Sequence, residues 1–128
     1  MRRVSAREAH ALMENEGYVY LDVRTRPEFD EAHPTGALHV AWLEPGNHGM
    51  VVNPSFVPQV EAVLARDARI VVGCASGVRS LAAANALVES GFVEVCEQRA
   101  GMAGVRDPFG RVREKGWRDE GLPTSVAE

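Results

Sequence analysis

The apolar positions of the chain fall into two kinds of run, one with helical spacing and one continuous. Ala9, Leu12 and Met13 recur on one face of a helix, whereas residues 18–23 and 70–73 form continuous stretches typical of buried strands. Helical and extended runs follow one another, which favours right-handed crossovers and a mostly parallel sheet. We therefore predict an α/β fold with five strands. The predicted strands are a short one around Arg3–Val4 and then residues 18–23, 37–40, 70–73 and 93–96.

Local signals mark the ends of the predicted helices. Ser5-Ala-Arg-Glu8 has the spacing of a capping box, and Thr25-Arg-Pro-Glu28 is another capped start. Gly17 and Gly91 stand where the end of a helix favours a left-handed residue. Asn53-Pro54 can begin a further helix. The predicted helices cover residues 5–17, 25–32, 53–64 and 81–90.

Two segments show no clear period. Residues 42–53 contain Pro45, Gly46 and Gly49, and we predict a loop there. From residue 99 onward the chain is glycine-rich and charged, which indicates irregular packing. Within it, we expect Trp117 and Leu122 to cover a sheet edge and the last few residues to fray.

Length, composition and charge limit the classes of function. With 128 residues and 13.9 kDa, the chain fits a single domain over residues 1–128. A net charge of −4 argues against an extended nucleic-acid surface, and no apolar run is long enough to span a membrane. The start of the chain lacks the apolar segment of a secretory signal, and two cysteines fit a reducing compartment. We therefore expect a cytoplasmic protein without nucleic-acid or membrane partners.

Cys74 is the main candidate for chemistry. It directly follows the predicted strand that ends at Gly73, and a helix begins a few residues later. In a strand, tight loop and helix, backbone N–H groups of the loop and the first helical turn point at the sulfur. Helix N-termini and nearby cations lower cysteine pKa values from about 8.5 to roughly 3.5–7.5. We therefore expect Cys74 to be a nucleophilic thiolate rather than a packed core residue.

Arg79 supplies the positive charge of this loop. Its planar guanidinium suits an anion with several oxygen atoms better than a lysine would. Asp22 and Arg24 lie at the carboxyl end of a neighbouring predicted strand, which is the edge where parallel sheets bind ligands. The predicted anion-binding residues are Arg79 together with Ala75, Ser76, Gly77, Val78 and Ser80.

Several motifs together resemble the rhodanese family of sulfurtransferases, most closely its single-domain branch that includes the plant senescence-associated type. The loop Cys-x-x-Gly-x-Arg-Ser over residues 74–80 is the most specific of them. The match runs nearly end to end. Its other parts are Leu21-Asp-Val-Arg24, Glu28-Phe29, residues 33–37, Asn53-Pro54, Gly91-Phe92 and the Gly-Leu-Pro that ends at Pro123.

The resemblance implies a rhodanese-like fold, with a central five-stranded mostly parallel sheet flanked by helices on both faces. It also implies that Cys74 accepts a sulfane sulfur and becomes a persulfide. A small anionic donor such as thiosulfate would load Cys74, and cyanide or a thiol, including one on another protein, would take the outer sulfur. Arg79 would then orient the donor, the N–H groups of residues 75–80 would hold the charge, and Asp22 and Arg24 would support the loop. No cofactor is implied.

Other functions for the same loop stay open. Phosphatases and arsenate reductases of this fold also use a cysteine and an arginine, but they place five residues between the two. Cys74 and Arg79 enclose four residues, and Gly73 stands where a phosphatase commonly has histidine. A persulfide carrier without turnover, or a sulfide-responsive binding module, would use the same cysteine. The sequence separates that alternative poorly from an enzyme.

The second cysteine and the histidines indicate no further chemistry. Cys96 lies in an apolar predicted strand, so we expect a packed core residue rather than a redox partner. The histidines at positions 10, 33, 39 and 48 include no close pair with metal-ligand spacing, and we expect no metal. His33 is expected to fix a turn.

Overall fold

A sheet of five parallel strands organises the structure, a computed structural model that describes residues 1–127. In chain order the elements are β1 (Arg2–Val4), α1 (Ala6–Glu16), β2 (Val19–Asp22), α2 (Arg26–Glu31), β3 (His33–Pro34), β4 (Leu38–His39), β5 (Leu43–Gly46), β6 (Gly49–Val52), α3 (Phe56–Glu61), β7 (Arg69–Gly73), α4 (Val78–Glu89), β8 (Glu94–Gln98), β9 (Val105–Arg106), β10 (Val112–Glu114) and β11 (Thr124–Ser125). The central order is β1-β8-β7-β2-β4, and every neighbouring pair is parallel. The predicted architecture is confirmed, and β7 lies in the middle of the sheet.

Capping interactions fix the helix starts that the sequence predicts. The Ser5 hydroxyl accepts the Glu8 N–H at 3.1 Å, while the Glu8 carboxylate accepts the Ser5 N–H at 2.9 Å. Thr25 and Glu28 form the same reciprocal pair at the start of α2. Gly17 ends α1 with φ +70°. Helix α3 begins later than predicted, because the Asn53 side chain accepts the Ser55 N–H in a turn before the helix, and it ends at Glu61 instead of residue 64.

Two apolar cores cover the two faces of the sheet. Ile70 and Val72 of β7 belong to one core, which α3 and α4 cover. Val71, between them in the strand, belongs to the other core, which α1 covers together with Trp117. Alternation along β7 thus sends successive side chains to opposite faces. Because both faces are covered, a near-continuous apolar strand is the expected sequence pattern.

The predicted loop over residues 42–53 is instead a β-hairpin. Strands β5 and β6 pair antiparallel, and the Gly46–Gly49 pair closes a two-residue turn. Met50, Val51 and Val52 on this hairpin are about half exposed. The sequence pattern missed the hairpin because neither of its faces is buried, so no alternation of apolar and polar residues marks it.

The chain after β8 is also more regular than predicted. Strand β8 continues beyond Cys96 to Gln98, β9 pairs with β10, and β11 pairs with β3. The Trp117 and Tyr20 rings make a T-shaped contact. Trp117 therefore packs on a face of the sheet instead of covering an edge strand as the sequence had predicted. Strand β11 is hydrogen-bonded to β3, and the Ala127 N–H donates to the Asp30 carbonyl at 3.0 Å. Fraying of the last few residues stays a prediction, and residue 128 lies outside the described residues.

Candidate functional site

The loop between β7 and α4 holds the Cys74 sulfur against backbone N–H groups. The Gly77 N–H donates to Sγ at 3.2 Å and the Ser80 N–H donates at 3.3 Å. Cys74 is buried, with 1% of its surface exposed. Ala75, Ser76 and Val78 shape this loop and the first turn, but in the described part of the chain they donate no hydrogen bond to the sulfur. The loop can therefore stabilise negative charge on Sγ through two aimed N–H groups.

Close backbone contacts fix the shape of the loop. Gly77 has φ +95°, and a side chain there would overlap the Arg99 carbonyl. On the other side, the Met102 N–H donates to the Cys74 carbonyl and the Ala103 N–H donates to the Ala75 carbonyl, both at 2.8 Å. These contacts require the chain after β8 to lie directly on the loop, so the loop is held before any ligand binds.

A buried polar row that the sequence did not predict lies behind the sulfur. The Ser80 hydroxyl lies 3.2 Å from the Cys74 sulfur and donates to the Glu97 carboxylate. Arg3 donates from Nε to the other oxygen of Glu97 at 2.6 Å. Sequence reasoning missed Glu97 because β8 was expected to end at Cys96. No local signal in the sequence marks Glu97, because its partner Arg3 lies opposite it only through the pairing of β1 with β8.

Arg79 forms a two-pronged ion pair with Glu28. Its two terminal nitrogens lie 2.7 and 3.1 Å from the two Glu28 carboxylate oxygens. Hydrogen bonding to Arg79, with help from Thr25, lowers the pKa of Glu28 to about 2. The same contact raises the pKa of Arg79. The guanidinium predicted to bind a donor is thus anchored to α2, and its role in donor binding stays a prediction.

Asp22 and Arg24 pair with each other beside the loop. Arg24 donates to the Asp22 carboxylate through its guanidinium at 2.8 Å and through its backbone N–H at 3.0 Å. It also donates to the Ala32 carbonyl at 2.6 Å. Asp22 pairs in register with Gly73, the residue before Cys74. Both side chains are buried, and their geometry supports the chain next to the cysteine.

A cavity of about 360 Å³ opens beside the loop at Ala75. Met102 and Ala103 contribute to its wall. Its charged lining residues are Arg24, Arg106 and Arg118 on the positive side and Glu28, Glu31 and Asp119 on the negative side. Arg106 and Arg118 were not predicted as site residues, because both lie in the C-terminal part that was expected to be irregular. The cavity therefore offers mixed charge next to the cysteine loop.

The remaining candidates take structural positions. Cys96 is buried in the core that α1 covers, and burial raises the pKa of its thiol to about 11. His33 stacks on Phe29, and its Nδ1 lies 2.7 Å from the Phe29 carbonyl. Over residues 1–127, no group of three or more histidine, cysteine and acidic side chains could hold a metal ion. Among the same residues, no helix is long and apolar enough to cross a membrane.

Known proteins match both the sequence and the fold. A family model described as Rhodanese-like domain matches residues 5–107. Thiosulfate sulfurtransferase 16, chloroplastic, of Arabidopsis thaliana is 39% identical over 123 residues, which are 96% of this chain and 92% of that protein. Senescence-associated protein DIN1 of Raphanus sativus is 42% identical over 85 residues, covering 66% of this chain and 46% of that protein. The chain thus spans about nine-tenths of the first relative but about half of the second.

The structural comparison gives the same result. The crystal structure of Rv0390 from M. tuberculosis matches with a TM-score of 0.78 and 26% identity, over 98% of this chain and 97% of that one. The rhodanese-like domain of the Alr3790 protein from Anabaena sp. matches with a TM-score of 0.75 at 22% identity, over 98% of this chain and 80% of that one. Together the matches confirm the family resemblance and the α/β fold that the sequence predicted.

Proposed function

The chain belongs to the rhodanese-like sulfurtransferase family, and from this premise we propose that it transfers a sulfane sulfur through a persulfide on Cys74. The observation that carries the proposal is the pair of N–H groups, from Gly77 and Ser80, aimed at a sulfur at the end of the central strand. The same N–H groups can stabilise a thiolate before the reaction and the persulfide after it.

The reaction has two half-reactions. The Cys74 thiolate attacks the outer sulfur of thiosulfate, a new S–S bond forms, and sulfite leaves with the electron pair of the bond that breaks. Cyanide then attacks the outer sulfur of the Cys74 persulfide, thiocyanate forms, and the Cys74 thiolate is released. A thiolate acceptor, free or on a protein, would take the outer sulfur in the same way and become a persulfide itself.

Two features argue against phosphoryl or arsenate chemistry at this loop. Cys74 and Arg79 enclose four residues, one fewer than in phosphatases and arsenate reductases of this fold, which gives a narrower loop around the sulfur. The position before the cysteine holds Gly73, where any side chain would overlap the Tyr20 hydroxyl. A histidine before the nucleophile therefore cannot be accommodated in this packing.

The test is thiocyanate formation from thiosulfate and cyanide, combined with mass spectrometry of the protein after thiosulfate alone. We expect wild type to gain one sulfur atom on Cys74, and Cys74→Ser to lose about a thousandfold or more of the rate. Cys96→Ser, which alters the other cysteine, is the matched control and should keep the rate. Near-normal turnover by Cys74→Ser would contradict the proposal.

Negligible turnover would favour a persulfide carrier if Cys74 still gains a sulfur atom during incubation with a cysteine desulfurase. A phosphatase would instead release phosphate from an aryl phosphate. The cytoplasmic location stays a prediction from the sequence, and cell fractionation tests it.

A further inference from the structure

The cavity beside Ala75 contains a guanidinium group, that of Arg106, which has no part in the cysteine loop itself. Arg106 lines this cavity together with Ala75, the residue that follows Cys74. Cys74 is nearly fully buried, so a sulfur donor must reach it through an opening beside the loop. A cation in the wall of such an opening attracts the charged end of an anionic donor.

The backbone places Arg106 close to the cysteine loop. The Ala103 N–H donates to the Ala75 carbonyl at 2.8 Å, and Arg106 follows three residues later at the end of β9. Arg106 donates from Nη1 to the Gly110 carbonyl at 2.9 Å, in the turn between β9 and β10. This bond uses one of the five N–H groups of the guanidinium. Over residues 1–127 the other four donate to no protein group, so they can bind an anion with several oxygen atoms.

Arg106 differs from the neighbouring arginines in its pairing. Three other guanidinium groups around the cavity and the loop lie beside carboxylates. These pairs are Arg24 with Asp22, Arg79 with Glu28 and, at 3.9 Å, Arg118 with Glu31. Arg106 forms no ion pair within the described residues. Asp119 also lines the cavity, so the lining carries both signs of charge and an anion is favoured at the Arg106 end.

We propose that Arg106 is a donor-binding residue, which holds the sulfonate group of the sulfur donor in this cavity while the outer sulfur of the donor reaches Cys74. This inference rests on the proposed function. It assigns the cavity to donors that carry a sulfonate next to the transferred sulfur, such as thiosulfate. Arg79 then anchors the loop to α2, and Arg106 supplies the guanidinium for the donor.

The first half-reaction gives this guanidinium an effect on rate as well as on binding. The Cys74 thiolate forms a bond to the outer sulfur of thiosulfate, the S–S bond of thiosulfate breaks, and its electron pair leaves with sulfite. Negative charge therefore grows on the sulfonate end as the bond breaks. A cation at that end stabilises the departing sulfite more than the bound donor. In the second half-reaction no sulfonate is present, so Arg106 should not affect it.

The first test compares alkylation of Cys74 by iodoacetate, an anion, with alkylation by neutral iodoacetamide. Both rates are measured by peptide mass spectrometry at low ionic strength. The two reagents react with the same thiolate, so the ratio of their rates does not depend on the amount of thiolate. In Arg106→Gln, we expect the iodoacetate-to-iodoacetamide ratio to fall at least about threefold, because the cavity loses its free positive charge. Arg106→Lys keeps the charge and should restore most of the ratio.

Arg113→Gln is the matched control. Arg113 lies on β10, the strand that pairs with β9, and it is outside the cavity lining. This variant removes the same charge from the same two-stranded sheet and should keep the wild-type ratio. An unchanged ratio in Arg106→Gln, an equal fall in Arg113→Gln, or equal ratios in Arg106→Lys and Arg106→Gln would overturn the proposal.

The second test is thiocyanate formation at varied thiosulfate and cyanide concentrations. The two substrates react in separate half-reactions, so each has its own kcat/KM. For Arg106→Gln, we expect kcat/KM for thiosulfate to fall at least about tenfold and that for cyanide to stay within about twofold. Equal falls for both substrates would indicate a displaced loop and would overturn donor binding by Arg106.

The two tests separate this inference from the proposed function. If wild type forms neither persulfide nor thiocyanate, the proposed function fails, while the alkylation ratio still decides whether Arg106 attracts an anion to Cys74. If wild type turns over and Arg106→Gln keeps its kcat/KM for thiosulfate, the inference about Arg106 fails alone.

Discussion

The position of Arg79, which the loop motif predicts, depends on Glu28, a residue outside that motif. The motif places Arg79 in the first turn of α4, two residues after Gly77. The structure adds Glu28, whose carboxylate accepts from Arg79 and also caps the start of α2 through Thr25. One carboxylate therefore joins two helix starts beside the cavity, and its charge state should affect the stability of the fold.

Unfolding experiments at acid pH test how much the Glu28 carboxylate stabilises the fold. Because the pKa of Glu28 is lowered from 4.5 to about 2 in the folded protein, its contribution to stability is present above pH 4.5. That contribution is lost as the pH falls toward 2. We expect the free energy of unfolding in urea to decrease more steeply below pH 5 for wild type than for Glu28→Gln.

The control for this experiment is Glu31→Gln, which removes a more exposed carboxylate on the same helix. It should keep the wild-type pH dependence. Equal slopes for wild type and Glu28→Gln would show that the Arg79 contact does not stabilise the folded state.

At the scale of elements, local signals and periodicity predicted the structure where the chain is buried or capped. The Ser5 and Thr25 caps and strand β7 formed as predicted, since each depends on residues close in sequence. The β5–β6 hairpin was missed because both of its faces are exposed. The polar end of β8 was missed because Glu97 and Gln98 are buried against partners that are distant in sequence. Glu97 accepts a hydrogen bond from Arg3, and Gln98 accepts one from Tyr20. The site's cysteine was predictable from the sequence, whereas the buried row behind it required tertiary pairing.

The β7–α4 loop leads to a prediction at this scale. Gly77→Ala would require both a left-handed backbone, which costs a non-glycine residue about 1–2 kcal/mol, and displacement of the Arg99 carbonyl. We expect thiosulfate-dependent loading of Cys74 to fall at least about tenfold, because the Gly77 N–H would move away from the sulfur. Gly36→Ala is the control, since Gly36 has φ +87° but open space around it. A loading rate equal to that of Gly36→Ala would contradict this account of the loop.

For the whole molecule, the C-terminal part completes both a core and the site. The family match ends at residue 107, whereas Trp117 is the largest fully buried side chain of the protein. Its backbone N–H donates to the Gly101 carbonyl at 2.8 Å, next to Met102, which donates to the Cys74 carbonyl. The segment after residue 107 therefore supports the cysteine loop from behind, although it contributes no residue to the loop itself.

Replacing Trp117 tests this dependence. Trp117→Ala would leave a cavity against Tyr20 and α1 and remove the indole N–H bond to the Pro123 carbonyl. We expect the free energy of unfolding in urea to fall by about 3–5 kcal/mol, the range for large aromatic residues in cores. Phe109→Ala, at a site that is 82% exposed, should change it by no more than about 0.5 kcal/mol. A loss below about 1 kcal/mol for Trp117→Ala would mean that the α1 core closes without the C-terminal segment, because a collapsed or refilled site costs far less than a cavity.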